Sequence, residues 1–154
     1  MRLSHRRADR TGAATLEAAI VIPVFLLLVL GTLDLGVGVF RHNTLSQAAR
    51  QGSRQAIVHG KLAPAGWNGG PWGPTTIDVP STATGMPVLD SVKPTLVGCP
   101  PADTRVRVEW PDGGNAVGDR VRVTVTSAYR PVIAWIFGGG TISLSATSTM
   151  PIAH

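Results

Sequence analysis

A single cysteine, Cys99, excludes an intramolecular disulfide and stands in no metal-ligand spacing. Charge is also scarce: Asp, Glu, Lys and Arg make up 15% of the 154 residues, and aromatics 5%. The acids stand singly along the chain, so no paired carboxylates for acid–base work are visible. The histidines, His5, His42, His59 and His154, are scattered. There is no phosphate loop, no Gly-x-Ser-x-Gly elbow, and Gly36-Val-Gly38 lacks the third glycine of a dinucleotide fingerprint. These gaps argue against an enzyme, with no catalytic residue, metal ligand or cofactor to name.

Acidic residues are scarcest where apolar ones are most abundant. Between Ala13 and Leu33 the only charge is Glu17. At about 1.5 Å per residue this stretch covers about 30 Å as a helix, the thickness of a bilayer core. Ahead of it lies a basic leader, residues 1–12, with Arg2, Arg6, Arg7 and Arg10. Basic residues flanking a span favour the cytoplasmic side, so the N-terminus reads as inside and the C-terminus as outside. The net charge of +5 is concentrated in that leader; without it the side-chain charge is +2, which makes basicity a topology signal more than a nucleic-acid one. The apolar run is longer than the core of a secretory signal, and Gly31-Thr-Leu-Asp-Leu-Gly36 behind it is no convincing cleavage site. Arg6-Arg7 is a poor twin-arginine signal, since no apolar residue follows promptly. A retained span follows.

The sequence Gly12-Ala13-Ala14-Thr15-Leu16-Glu17 carries the most specific pattern. A basic leader ending in glycine, a Glu at the fifth position after it and an apolar helix resemble a type IV prepilin. Together with Gly31-Thr-Leu-Asp34-Leu-Gly36 and Ala48-Ala49-Arg50-Gln51-Gly52-Ser53-Arg54, they resemble more closely the TadE-like family, pseudopilins of the tight-adherence (Tad) pilus system. The resemblance implies processing between Gly12 and Ala13 by a prepilin peptidase. It also implies an assembly contact between Glu17 and the new N-terminal ammonium of a neighbouring subunit. Its partners would be the peptidase, the Tad inner-membrane assembly platform, other pilins or pseudopilins, and the lipid bilayer. The location implied is the cytoplasmic membrane and, after assembly, the pilus at the cell surface. The alternative from a different class is a permanently anchored extracytoplasmic adhesion module.

Within the span, residues 13–40, Pro23 removes one helical hydrogen bond and crowds the carbonyl of Ala19, so a kink is expected there. It reads equally as a plain kink or as a bend used when the helix leaves the bilayer. Gly31 and Gly38 share a face, either for close helix approach or by the ordinary tolerance of membrane helices for glycine. Asp34 marks the outer interface or, as the matching acid of TadE-like sequences implies, an assembly contact.

Residues 41–60 continue the helix in water. Leu45, Ala48, Ala49, Gly52 and Ala56 form one stripe of mostly small residues, suited to the chain's own domain or to a neighbouring helix. Gly60 is the expected cap, with Pro64 preventing continuation. Residues 61–154 form the extracytoplasmic domain. Residues 63–87 read as a Gly/Pro-rich loop whose Trp67 and Trp72 cover the core, lie at the membrane surface or form a contact patch. Residues 87–97 suggest a short helix weakened by Pro94. Strict alternation marks strands at residues 105–110 and 120–129, joined by a hairpin at 111–118. Residues 130–137 are an apolar helix or turn expected on the sheet, and Ile142, Leu144 and Ala146 mark a third strand. The expected fold is α+β: a long N-terminal helix on a three-stranded antiparallel sheet. Arg105, Arg107, Arg120 and Arg122 fall on one strand face, read as solvated and not as a specific nucleic-acid surface.

Overall fold

The computed structural model describes residues 11–67, 69–136 and 138–153. The basic leader through Arg10 lies outside them. One helix, α1 (Thr11–Ile57), makes up the N-terminal third. It runs unbroken through Pro23 and ends at Ile57, three residues short of Gly60.

Behind it come β1 (Ile77–Pro80), α2 (Pro87–Val92), β2 (Thr104–Glu109), β3 (Arg120–Tyr129), α3 (Val132–Ile136) and β4 (Ile142–Pro151). Pro87 occupies the first turn of α2, where its missing N–H costs nothing. A 3-10 turn at Lys93–Thr95 absorbs Pro94. The four strands form an antiparallel sheet in the order β1-β2-β3-β4. The architecture is α+β, but the sheet has four strands, not three. The extra one, β1, lies inside the stretch expected to be loop. Its Ile77 and Val79 stand opposite Val108 and Val106, extending the apolar face by one strand. At four residues ending in Pro80, it is a short edge strand that further chains pair with poorly.

Alternation is visible in burial. Val106, Val108, Val121, Val123 and Val125 are fully buried, and the arginines between them face solvent. Each of those four arginines meets an acid: Arg105 with Asp78 (3.0 Å), Arg107 with Glu109 (2.6 Å), Arg120 with Asp112 (2.6 Å) and Arg122 with Glu109 (4.0 Å). The face is a lattice of ion pairs, not a free basic surface. Hydrogen bonds from the Arg120 side chain and backbone hold the Asp112 carboxyl down to about 2. The clamp across the β2–β3 hairpin is therefore present above the ordinary carboxylate range and is lost only as pH falls towards that value.

The second half of α1 lies on this valine face. Leu45, Ala48, Ala49, Gly52 and Ala56 are buried, whereas Gln47, Arg50, Gln51 and Arg54 are exposed. Opposite them β4 presents the small residues Ala146 and Ser148, and the Ser53 hydroxyl meets that of Ser148 at 2.8 Å. Small residues on both sides let the helix axis come close to the sheet. Cys99 is buried beside this core, and desolvation pushes its thiol up, away from the reactive thiolate.

Gly52 is where approach is tightest. A Cβ there would stand 3.0 Å from methyls of both Val123 and Val92. Overpacking a core typically costs about 1–3 kcal/mol, against at most about 1 kcal/mol of helix propensity gained on replacing glycine. Gly52→Leu is expected to destabilise the domain by about 3 kcal/mol and Gly52→Ala by about 1 kcal/mol. Denaturant unfolding of the full chain in detergent micelles, followed by near-ultraviolet circular dichroism, measures this. An unchanged midpoint for Gly52→Leu would show that α1 does not pack there as described.

Candidate assembly and processing site

The first half of α1 has almost nothing of its own chain to pack against. Residues 12–26 are all exposed, including Leu16, Ile20, Val24 and Phe25. The helix is long and apolar enough to cross a membrane, and none of its most apolar stretch is buried. An amphipathic surface helix would show a polar face; this stretch is apolar all round, which is compatible with a single-pass membrane anchor.

Gly12, Ala13 and Glu17 lie together at the start of this helix. Gly12 and Ala13 are exposed, and Glu17 stands one turn further on, also exposed. Among the described residues no cation pairs with Glu17. The nearest downstream cation on the helix, Arg41, is 24 residues away, about 36 Å along the axis, so it cannot compensate the carboxylate. Pro23 lies one and a half turns past Glu17 and is exposed.

Asp34 is different. From Leu27 onward, partial burial recurs at Leu27, Gly31, Asp34 and Gly38, a stripe at three- and four-residue steps. The β3–β4 connection lies on that stripe. The Asp34 carboxylate accepts hydrogen bonds from the backbone N–H of Val132 (3.0 Å, to Oδ1) and of Ile133 (2.7 Å, to Oδ2). The Tyr129 hydroxyl sits 3.1 Å from both Oδ1 and the backbone carbonyl oxygen of Asp34. A carboxylate at the first N–H groups of a helix satisfies donors that the helix itself leaves unpaired. The Arg41 guanidinium stands 4.9 Å from the centre of the Tyr129 ring, completing a chain from Asp34 through Tyr129 to Arg41.

Gly31 and Gly38 fit the same contact. A Cβ at Gly31 would come within 3.1 Å of Ile133 Cδ1, and one at Gly38 within 3.7 Å of the Tyr129 ring. The chain's own domain borders the face shared by these glycines, meeting it at Ile133 and Tyr129. Of the apolar segment 130–137, expected to pack on the sheet, the described part, α3 (Val132–Ile136), docks instead on α1, and Phe137 lies outside the described residues. The signal for it was the pair of an acid in an apolar helix and an apolar segment with free amides. Sequence spacing could not join them across about 100 residues.

The tryptophan-rich loop divides. Trp72 is buried and stacks on the His59 ring, centroids 3.9 Å apart and planes at 13°. Trp67 lies with its ring centroid 6.2 Å from that of His59 and stays 55% exposed. His59 Nδ1–H donates to the Gln55 carbonyl at 2.8 Å, and its buried Nε2 has no hydrogen-bond partner among the described residues. The loop is therefore a cover at the far end of α1, with Trp72 spent on the domain's own packing and Trp67 left about half exposed. Among the described residues no three His, Cys, Asp or Glu side chains gather as a metal ion would need.

Asp34→Ala removes the acceptors for two amides and a phenol. Hydrogen bonds to a charged group contribute about 1.5–3 kcal/mol, so exchange of the Val132 and Ile133 amides is expected to accelerate about tenfold or more. Hydrogen exchange of the full chain in micelles measures this, with amides of β3 as unchanged internal controls. Equal protection of Val132 and Ile133 in the variant and the parent chain would contradict the tether.

Comparison with curated proteins and with solved structures gives no match for this chain. The family model described as TadE-like protein matches residues 12–54, so the resemblance is shown over nearly the whole of α1, from the Gly12–Ala13 junction to Arg54.

Proposed function

We propose that this chain is a minor pilin or pseudopilin of a Tad-type pilus, held in the cytoplasmic membrane by α1 and processed between Gly12 and Ala13. The observation that carries the reading is an apolar helical stretch, residues 12–26, that has no cover from its own chain and whose one carboxylate, Glu17, has no cation among the described residues. The TadE-like match over residues 12–54 supports it independently.

The chemistry is one of assembly. A carboxylate at the inner end of a span is costly unless it meets a positive group. Processing after Gly12 creates an ammonium on Ala13. Within the same helix that amine is one turn below Glu17 and could reach it only by bending back. On a subunit shifted by about one turn the two meet, and the pair sets the register between neighbours. Pro23 loosens the helix just above this contact, which suits transfer from bilayer to filament. The basic leader holds the N-terminus inside until it is removed, and the domain beyond Arg41 stands outside. The prepilin peptidase, the Tad inner-membrane platform and other pilins are its partners. Asp34, engaged within the chain, serves assembly by fixing the domain's angle to the span.

Processing is the test. Co-expressed with a prepilin peptidase, the wild-type chain is expected to lose residues 1–12 and to begin at Ala13, as intact mass or N-terminal sequencing will show. Gly12→Leu is expected to stay at full length. A wild-type chain that remains uncut beside an active peptidase would contradict the reading and favour a permanent anchor.

A further inference from the structure

The β3–β4 connection carries more exposed apolar surface than its docking on Asp34 explains. Trp135 is 85% exposed, and Val132, Ile136 and Ile142 are also exposed. Residues 131–153 contain no charged side chain. Beside this segment an open apolar groove of about 650 Å³ is lined by Leu27, Leu28, Leu35, Ile133 and Leu144.

Its level along α1 is fixed. Ile133 lies against Gly31, and the first amides of α3 are bound to Asp34. The helix stays apolar beyond that point: Leu35, Val37, Val39 and Phe40 are exposed, and the first charge is Arg41. Residues 18–40, between Glu17 and Arg41, span about 34 Å, close to the bilayer core. Arg41 then marks the outer boundary, and α3 sits about 10 Å inside it along the axis. An indole and aliphatic side chains at that depth suit the acyl and headgroup region, where amphipathic rings and short apolar segments bind. Asp34 can lie there because the α3 amides and the Tyr129 hydroxyl surround it.

We propose that α3, with Trp135 and the groove beside it, is a lipid-binding surface that enters the outer leaflet of the membrane spanned by α1. The occupant is phospholipid: acyl chains fill the groove and Trp135 lies among the upper chain segments. The apolar surface of α3 is continuous with that of α1, so one solvent covers both. This inference rests on α1 being a membrane span. It adds that the domain is seated in the bilayer and not held clear of it. Leaving the membrane for a filament then requires extracting α3 as well as α1.

Tryptophan quenching tests this directly. Trp72 stacks on His59 and Trp67 flanks it, beyond the end of α1 at Ile57, which is 16 residues or about 24 Å past Arg41, and Trp110 lies beside Gly73, next to Trp72. Only Trp135 is within reach of the chains. The full chain is reconstituted in phosphatidylcholine vesicles brominated at acyl carbons near the headgroup, and its emission is compared with that in unbrominated vesicles. Wild type is expected to be quenched, and Trp135→Phe to lose most of that quenching. Equal quenching in both chains, or none in either while the protein resists alkaline carbonate extraction, overturns the inference and leaves the span intact. A Trp135 emission that shifts with protein-to-lipid ratio and ignores bromine assigns the surface to a second copy and also overturns it. Release of the wild-type chain by carbonate overturns the span reading, and this inference with it.

Discussion

The close contact of α1 with the valine face of the sheet is what the rest of the structure depends on. A helix carrying large side chains at residues 45–56 would ride higher on the sheet. The small stripe, with Gly52 between Val123 and Val92, brings the axis near enough for Ser53 to reach Ser148 on β4. That contact turns a long helix into part of a domain. It also fixes the direction in which the uncovered half of the helix leaves it.

A second link, at Asp34, works with the first. Packing at residues 45–56 fixes the helix to the sheet, and Asp34 fixes the connection after β3 to the helix about 11 residues nearer its N-terminus. Two attachments, on opposite sides of Arg41, leave the domain little freedom to swing about the exposed part of α1. In the assembly proposed above, a defined angle between domain and helix has a direct use: contacts made by the domain and contacts made by the exposed part of α1 can be satisfied together. The exposed N-terminal third of α1, residues 12–26, is then the part left without cover from the chain itself.

Much of this was legible in the sequence because its signals are local. The unbroken apolar run, the alternation of Arg and Val in β2 and β3, and the small stripe at Leu45, Ala48, Ala49, Gly52 and Ala56 each fix an element and its buried face. The glycine-to-glutamate spacing at Gly12 and Glu17 carried the family resemblance, which the match over residues 12–54 supports. What escaped was non-local or short. Strand β1 has four residues in a Gly/Pro-rich stretch and is defined by its pairing with β2, not by its own periodicity. Asp34 shows itself in sequence as an anomaly, but its ligands lie about 100 residues on, in a segment whose apolar character pointed to the sheet. Trp67 and Trp72 look alike in sequence. Only His59, arriving from the end of α1, separates the buried one from the exposed one.

At the centre of the account is Glu17 as a contact made between subunits and not within one. Glu17→Gln keeps the shape of the side chain and removes its charge. The measurement is the amount of the variant in a sheared pilus fraction, relative to wild type, at equal abundance in the membrane. The account predicts that the variant inserts, is processed and folds its outer domain, yet is strongly depleted from the pilus fraction. Equal incorporation of variant and wild type would contradict it.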